Sequence, residues 1–557
     1  MRLPVGQDAF LPKSVQALKE YSWSKFWADL VAGITVGLVA LPLAMAFAIS
    51  SGVPPQSGIY GAIVAGFIVS ALGGSMTQIA GPTGAFVVVV AGIVQAHGID
   101  GLFMCTLLAG IMLAVMGLTG LGAAVKYIPR PVVIGFTNGI AILIASTQIK
   151  DFLGLQIEKV PGDFLGRMQA IGANLGTWSP TTAAVGGLSL ALIVCMMLFV
   201  KRVPGSLPAL FLGTLAVWLF HIPVATIETK FGGIPSGLPA LHIPSFRADL
   251  ILPLLAPAVT VAMLGAIESL LSAVVSDRMS GDRHNPNVEL FAQGVANIAS
   301  PLFGGLPATG AIARTATNIR SGAKTPVAGI IHALVLLVIL LVAAPLAMQI
   351  PLAVLAAILF VVSYNMGEWF EIKHIWKLGK PDIAVWALTF LLTVLADLTV
   401  AVQVGMILAA LLYIRRVTST TTVAVVTKEY IEAGRAHSLQ ANEVPEGVTV
   451  YRIHGPFLFG ATDKLLVIED AMPELGKVVM LRLRNMTAID GTGVHALESL
   501  AETLKKNGKQ LVLCGLREQP ETFIQRSDLA QKIGFENILP SLELGIARAR
   551  HILAGEN

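Results

Sequence analysis

Charge is scarce in this sequence: only 13% of its 557 residues are Asp, Glu, Lys or Arg, whereas 55% are hydrophobic. With a mean hydropathy of +0.75, that composition excludes an ordinary soluble globular chain and points to a membrane protein. Cysteine is scarcer still. Cys105, Cys195 and Cys514 are scattered and form no CxxC pair, which excludes a disulfide framework. The ten histidines show no metal-ligand spacing, so no metal or other cofactor is expected. The first residues also lack a basic segment followed by an apolar run and a cleavage site, and the first apolar span is expected to serve as the insertion signal.

The charge that is present is unevenly placed, with 32 of the 72 Lys, Arg, Asp and Glu residues lying after Arg416. A lipid-embedded part is therefore followed by a water-soluble one. Apolar segments near 30–50, 58–73, 102–122, 131–149, 181–200, 206–220, 251–275, 327–348, 351–370, 383–397 and 399–414 are long enough to cross a bilayer. Shorter candidates at 82–96, 288–303 and 310–321 would raise the number of crossings to fourteen. Basic residues collect in alternate loops: Lys126 to Arg130, Lys201 and Arg202, Arg278 to Arg283, Arg320 to Lys324, Lys373 to Lys380, and Arg415 and Arg416. By the positive-inside rule both termini are cytoplasmic, with SGVPPQSG and the stretch from His221 to Ser245 on the other side. Seven spans in each half invert the second half relative to the first.

Two short segments repeat a signal across these halves: GPTGAF at Gly81 to Phe86 and LPATGAI at Leu306 to Ile312. Thr-Gly-Ala is a common tripeptide, and small residues also serve simple close packing of helices. Both copies, however, open short interrupted segments in corresponding positions of two halves, the arrangement of a transport site. We expect them to meet near the bilayer midplane as two helix N-termini facing each other, where free backbone N–H groups bind an anion without a basic side chain. Thr83 and Thr309 are expected to add hydroxyl donors.

Glu268 interrupts an otherwise uncharged span, AMLGAIESLLSAVVSDRMSG. A carboxylate there must face the bundle interior and be protonated, paired or near water, as a proton carrier would be; the alternative is a packing residue held by hydrogen bonds. Arg314, one helical turn beyond Gly310, either neutralises the substrate, pairs with Glu268, or snorkels to the membrane edge. Asp29, Asp397, Lys150 and Asp151 read as interfacial.

These residues carry a family resemblance over nearly the whole chain. DLVAGITVGLVALPLAMAFAI, GPTGAF, AIESLLSAVVSDRMSG and NVELFAQGVANIASPLFGGLPATGAIARTATNIRSGAKTP occur in the order seen in the sulfate permease (SulP) anion transporters. The resemblance implies a polytopic α-helical membrane protein with 14 transmembrane helices in two inverted 7-helix repeats, a mobile core against a gate, and a homodimer. It implies a substrate site at Thr83, Gly84, Ala85 and Phe86 with Thr309, Gly310 and Ala311, joined by Arg314 and by Pro42, Leu43 and Met45 of the first helix. It places ion coupling at Glu268 and Ser272.

Two departures bear on substrate. Sulfate-carrying members often have Gln directly after the first-helix proline, where this chain has Leu43 after Pro42. Sodium-coupled bicarbonate members have Asp and Thr where this chain has Glu268 and Ser272, which favours a proton over sodium. TQIKDFLGLQ and AMLGAIESLLSAVV look closest to the proton-coupled C4-dicarboxylate branch, so succinate, fumarate or aspartate is the expected cargo, with bicarbonate or sulfate as the alternative. From Val448 apolar strands alternate with amphipathic helical stretches, a small α/β domain without a glycine-rich phosphate loop or paired catalytic acids, and no enzyme is expected. It resembles a STAS domain, whose strand-to-helix loop matches IDGTGV; Thr492 then occupies a position phosphorylated in anti-sigma-factor antagonists, while the simpler reading is a helix cap in an Asp-Gly turn.

The expected organisation is a cytoplasmic segment 1–26, a transport domain 27–416 with repeats at about 27–220 and 251–416, a linker 417–447, and a STAS domain 448–557 with room for a cytoplasmic partner. The expected role is secondary active anion transport at the inner (plasma) membrane. An anion channel and a membrane-anchored anion sensor are the rivals from other classes.

Overall fold

The computed structural model describes residues 10–122, 129–157, 160–200, 204–232, 237, 241, 247–396, 398–425 and 444–555. Lys126, Lys201, Arg202 and Asp397, much of the His221 to Ser245 stretch and most of 417–447 lie outside them. The chain forms two units, Met1–Ile407 and Leu408–Asn557.

In the first unit, α1 (Lys13–Lys19), α2 (Trp23–Ser50) and α3 (Pro55–Leu72) lead to a two-residue strand, β1 (Ala80–Gly81). Then come α4 (Gly84–Leu118), α5 (Arg130–Leu153), α6 (Phe164–Ala173), α7 (Pro180–Phe199), α8 (Ser206–Phe220) and α9 (Ile227–Phe231). α10 (Ile251–Ser280) and α11 (Pro286–Leu302) precede β2 (Thr309–Gly310) and α12 (Ile312–Arg320). The series continues with α13 (Val327–Val342), α14 (Ala344–Met348), α15 (Leu352–Met366), α16 (Trp369–Lys377) and α17 (Lys380–Leu395), and α18 (Leu398–Ser419) runs from the first unit into the second.

Among the described residues, α2, α3, α4, α5, α7, α10 and the Leu352–Lys377 stretch are long and apolar enough to cross a membrane, and α8 and α13 are shorter apolar helices. The separate segments expected at 82–96 and 102–122 are the two helical halves of α4, parted at Gly98, whose φ of 72° and ψ of −174° are not helical. That φ favours glycine, so the break is written into the sequence. Side chains such as Leu188, Phe199, Phe211 and Phe220 stand exposed on α7 and α8. Such a surface suits lipid rather than water.

The helices sort into two sets. α2, α3, α4, α10, α11, α12 and α13 pack around the strand pair, while α5 packs on α15 and α17, and α7 on α15 and α8. In the first set α4 and α11 approach closely through small residues: a Cβ at Gly294 would lie 2.3 Å from the Ala114 nitrogen, and one at Gly110 would lie 2.7 Å from that of Ile298. Without a hydrophobic drive between helices in lipid, such backbone proximity supplies dispersion contacts that larger residues would prevent.

Asp29, read from sequence as interfacial, is fully buried near the start of α2. Its Oδ1 accepts from the backbone N–H groups of Lys324 (2.7 Å) and Thr325 (3.1 Å) and its Oδ2 from the Thr325 hydroxyl (2.5 Å), fastening α2 to the turn before α13.

The second unit holds a five-stranded sheet, ordered β3 (Thr422–Val425), β4 (Val448–Phe457), β5 (Val478–Ile489), β6 (Gln510–Cys514) and β7 (Ile538–Leu539). β3 runs antiparallel to β4 and the other neighbours are parallel. Alternation along β5 sends Val479, Leu481 and Leu483 to the face covered by Leu497, Leu500 and Leu504. Val478 and Met480 meet Leu542, Ile546 and Ile552 on the other face. Both faces are therefore covered, as a mostly parallel sheet requires. Burial pushes the Cys514 thiol up to about 12, so it stays protonated and inert. β3 is a correction to the sequence reading: part of the stretch read as linker supplies an edge strand, too short to announce itself by period.

Candidate functional site

The two repeated motifs meet. β1 and β2 pair antiparallel, with Ala80 opposite Gly310 and Gly81 opposite Thr309. The Ala311 N–H extends the ladder to the Ile79 carbonyl at 2.8 Å. α4 then starts behind Thr83 and α12 behind Ala311, and no side chain caps either helix at those residues. Two helix starts, with first-turn N–H groups not taken by capping side chains, thus flank one short strand pair.

The surrounding helices clamp this backbone. Asn297 on α11 accepts the Ala308 N–H and donates to the Ala308 carbonyl, both at 2.8 Å. The Ile79 N–H donates to Thr315 Oγ1 at 3.0 Å, and that oxygen lies 3.1 Å from the buried Ser272 hydroxyl. Asn318 donates to the Thr77 carbonyl at 2.8 Å. Glu289, fully buried on α11, accepts from the Gly74 N–H at 2.9 Å and from the Gln78 and Gln293 amides at 3.0 Å each. The bonds to Ala308, Ile79, Thr77 and Gly74 satisfy main-chain groups that would otherwise be stranded in lipid.

Both candidate hydroxyl donors are engaged. Thr83 donates to Glu268 Oε2 at 2.7 Å, and Thr309 donates to the Gly265 carbonyl at 2.9 Å. Donor duty toward an anion therefore falls on the backbone and on Arg314. That side chain is 3% exposed, which removes the snorkelling alternative. Its Nη2 donates to the Pro82 carbonyl, while its buried Nη1 has no hydrogen-bond partner among the described residues. Nη1 sits against Gly81, where an added Cβ would approach it to 2.7 Å. Arg314 makes no ion pair with Glu268, whose partly buried carboxylate is held by Thr83 instead.

Ala85, Phe86, Leu43, Met45 and Ala311 are buried, and Phe86 Cζ lies 3.6 Å from where a Gly265 side chain would begin. Pro42 stands inside α2, so the carbonyl one turn earlier loses its helical donor. Gly84 faces Ile144 and Phe47, whose atoms lie 3.0 and 3.3 Å from its absent Cβ. Thr492 belongs to the other unit. It is exposed in the first turn of the helix Gly491–Lys506, capped by Asp490, which accepts the Gly493 N–H at 2.8 Å.

Glu289, Gln293, Asn297 and Ser300 went unnoticed in the sequence. Their spacing of four, four and three residues puts them on one face of α11, and that polar stripe along a helix in a membrane chain was the available signal. Among the described residues no group of His, Cys, Asp and Glu could hold a metal ion.

Comparison with known proteins matches residues 26–389 to the sulfate permease family and residues 440–544 to the STAS domain. The chain belongs to the sulfate permease family. It is 40% identical over 93% of its length, and 96% of the relative's, to YvdB of Bacillus subtilis (strain 168), named as a candidate sulfate transporter. It is 32% identical to the bicarbonate transporter BicA of Picosynechococcus sp., covering 94% of each chain. In architecture it resembles the overall structure of SLC26A9, with a TM-score of 0.86 at 19% identity, covering 99% of this chain and 94% of that one. A sulfate permease member of this kind is a polytopic membrane protein with a C-terminal STAS domain; the homologues are sulfate and bicarbonate transporters, not enzymes.

Proposed function

We propose that this protein is a secondary active anion transporter working by alternating access, with the β1–β2 pair and the starts of α4 and α12 as its substrate site. The observation that carries the reading is Arg314 Nη1, a buried cationic donor without a hydrogen-bond partner among the described residues, beside paired backbone strands. A bound oxyanion supplies what that group lacks. Thr83 to Phe86, Thr309 to Ala311, and Pro42, Leu43 and Met45 form the site; Glu268, with Ser272 behind it, couples transport to a proton. The names of the relatives favour sulfate and bicarbonate over the C4-dicarboxylates suggested by local motifs.

The wider reading is a homodimer in the inner membrane, with fourteen crossings in two inverted sets of seven and cytoplasmic termini. The helix set around the strand pair moves against the set around α5. Domain limits follow 27–416 and 448–557, and Thr492 is a regulatory candidate for a cytoplasmic partner.

The test is uptake into proteoliposomes of labelled sulfate, bicarbonate and succinate, driven in turn by a pH gradient and by a sodium gradient. Accumulation of at least one anion under the pH gradient without sodium is expected. Downhill flux alone would move the reading to a channel, and a response to sodium alone would remove the proton.

A further inference from the structure

Far from the strand pair along α4, a cavity of about 310 Å³ opens between the C-terminal ends of α2 and α5, the α4 residues Ala91 to Gln95, and the 160–167 segment. It has room for roughly ten waters, hence for a small hydrated oxyanion. Among the described residues Lys150, Arg167 and Lys230 line it, against a single carboxylate, Asp151. Lys230 pairs with Asp151 at 2.9 Å. Among the described residues Lys150 donates to the Ile157 carbonyl alone, leaving two ammonium donors. Arg167 is 3% exposed and bonds to Ser146 Oγ (2.8 Å) and to the carbonyls of Gly162 (2.6 Å), Pro161 (3.3 Å) and Leu143 (3.4 Å). A lysine that merely snorkels at a membrane edge reaches water, but Arg167 is a fixed, buried positive charge held entirely by neutral groups. Asp163, one helical turn before it, is occupied capping α6 through the Gly166 N–H at 2.6 Å.

The cavity is in line with the substrate site. Ala91 to Gln95 lie seven to eleven residues beyond Gly84 on the same helix, about 10–16 Å along its axis. Between the two, Phe47 and Ile144 close over Gly84 as an apolar layer. Gln148 donating to Ser50 at 3.0 Å, and Gln95 packed on Gly162, join the two helix sets at this end.

We propose that this cavity is an outer docking site for the transported oxyanion, filled before the anion passes the Phe47–Ile144 layer. The inference rests on the transport reading above. The test uses the full chain in nanodiscs and proteoliposomes, with sulfate, bicarbonate and succinate as probes. Ala311→Phe, which fills the strand-pair site, should retain weak anion binding by calorimetry, and adding Lys150→Gln with Lys230→Gln should abolish it. In the otherwise unaltered chain each lysine substitution should raise KM from this face about three- to fivefold. The maximal rate should stay within twofold, KM from the opposite face should not move, the dependence on ionic strength should flatten, and Lys150→Arg should restore KM. Unchanged KM in the double variant, or no anion binding by Ala311→Phe, overturns the outer site and leaves the midplane reading standing. Binding that depends on the lysines without movement of any of the three anions keeps the outer site and overturns the transport reading.

Discussion

Replacing Arg314 with glutamine separates a substrate ligand from a structural prop by the sign of its effect. In the anion-free protein the guanidinium contributes one charged hydrogen bond to the Pro82 carbonyl, on the order of 1.5–3 kcal/mol. Against that stand a buried, unpartnered Nη1 and a charge without an ion-pair partner among the described residues, together costing about as much. Arg314→Gln should therefore change anion-free stability by no more than about 1 kcal/mol. With anion present the balance differs. Saturating wild type at a hundred times Kd stabilises it by about 2.7 kcal/mol. Losing a charge-assisted contact weakens Kd roughly 30-fold, so at the same anion concentration the increment falls to about 0.9 kcal/mol. Thermal unfolding of the full chain in nanodiscs, with and without sulfate and bicarbonate, measures both quantities. If Arg314→Gln unfolds about 3 kcal/mol more easily without anion and keeps the wild-type increment, Arg314 holds the Pro82 turn and binds nothing.

Ala311→Phe, at a buried position beside β2, should abolish the high-affinity component of substrate binding in equilibrium measurements, leaving only the weak outer component, while expression and oligomer size stay normal; near-normal affinity would remove the strand pair as the site. Asn297→Ala removes both bonds to Ala308 and strands two buried backbone groups, so it should cost about 2–4 kcal/mol by thermal unfolding, with Asn297→Asp failing to rescue because it loses the donor. Ending the chain after Ser419, the last residue of α18, should leave anion binding detectable because every proposed ligand precedes it; a folded truncation without binding would tie the STAS domain to the site.

The long apolar helices were legible because lipid imposes a length and a polarity on each one, and the two motifs were legible because proline and glycine in a spanning segment need an explanation. The strand pairing itself was not. Two residues per strand carry no period, and their pairing is decided by Asn297, Thr315 and Asn318 reaching in from other helices. Thr83 was found for its hydroxyl, yet that proton goes to Glu268, since the nearest acceptor in the folded chain cannot be read from spacing. Arg314 and Glu268 were both singled out as costly charges, but whether they paired depended on where Thr83 stood between the two halves. Asp29 was misjudged because a carboxylate near a span end looks the same whether it meets water or the backbone of Lys324 and Thr325.

Charge balance in the moving core gives Glu268 its sharpest test. At the empty strand-pair site Arg314 is positive and Glu268, if ionised, negative, so the two charges at the site cancel, the arrangement that crosses at least cost. A bound monoanion makes the core negative unless Glu268 takes a proton, and with that proton the loaded core is neutral again. One proton per bicarbonate therefore lets both the loaded and the empty forms reorient uncharged. Sulfate or a C4-dicarboxylate with one proton leaves one negative charge, at about 2.3 kcal/mol per 100 mV if it crosses the whole field. Bicarbonate uptake should rise as external pH falls and be insensitive to an imposed potential, while any sulfate or succinate uptake should be potential-dependent. Glu268→Gln imitates the protonated acid and accepts from Thr83 as before, so it should bind and exchange anion yet lose accumulation driven by a pH gradient. Proteoliposomes clamped with potassium and valinomycin, sodium-free, read all of this. If Glu268→Gln still concentrates the anion under the gradient, the proton travels elsewhere and Glu268 only anchors Thr83.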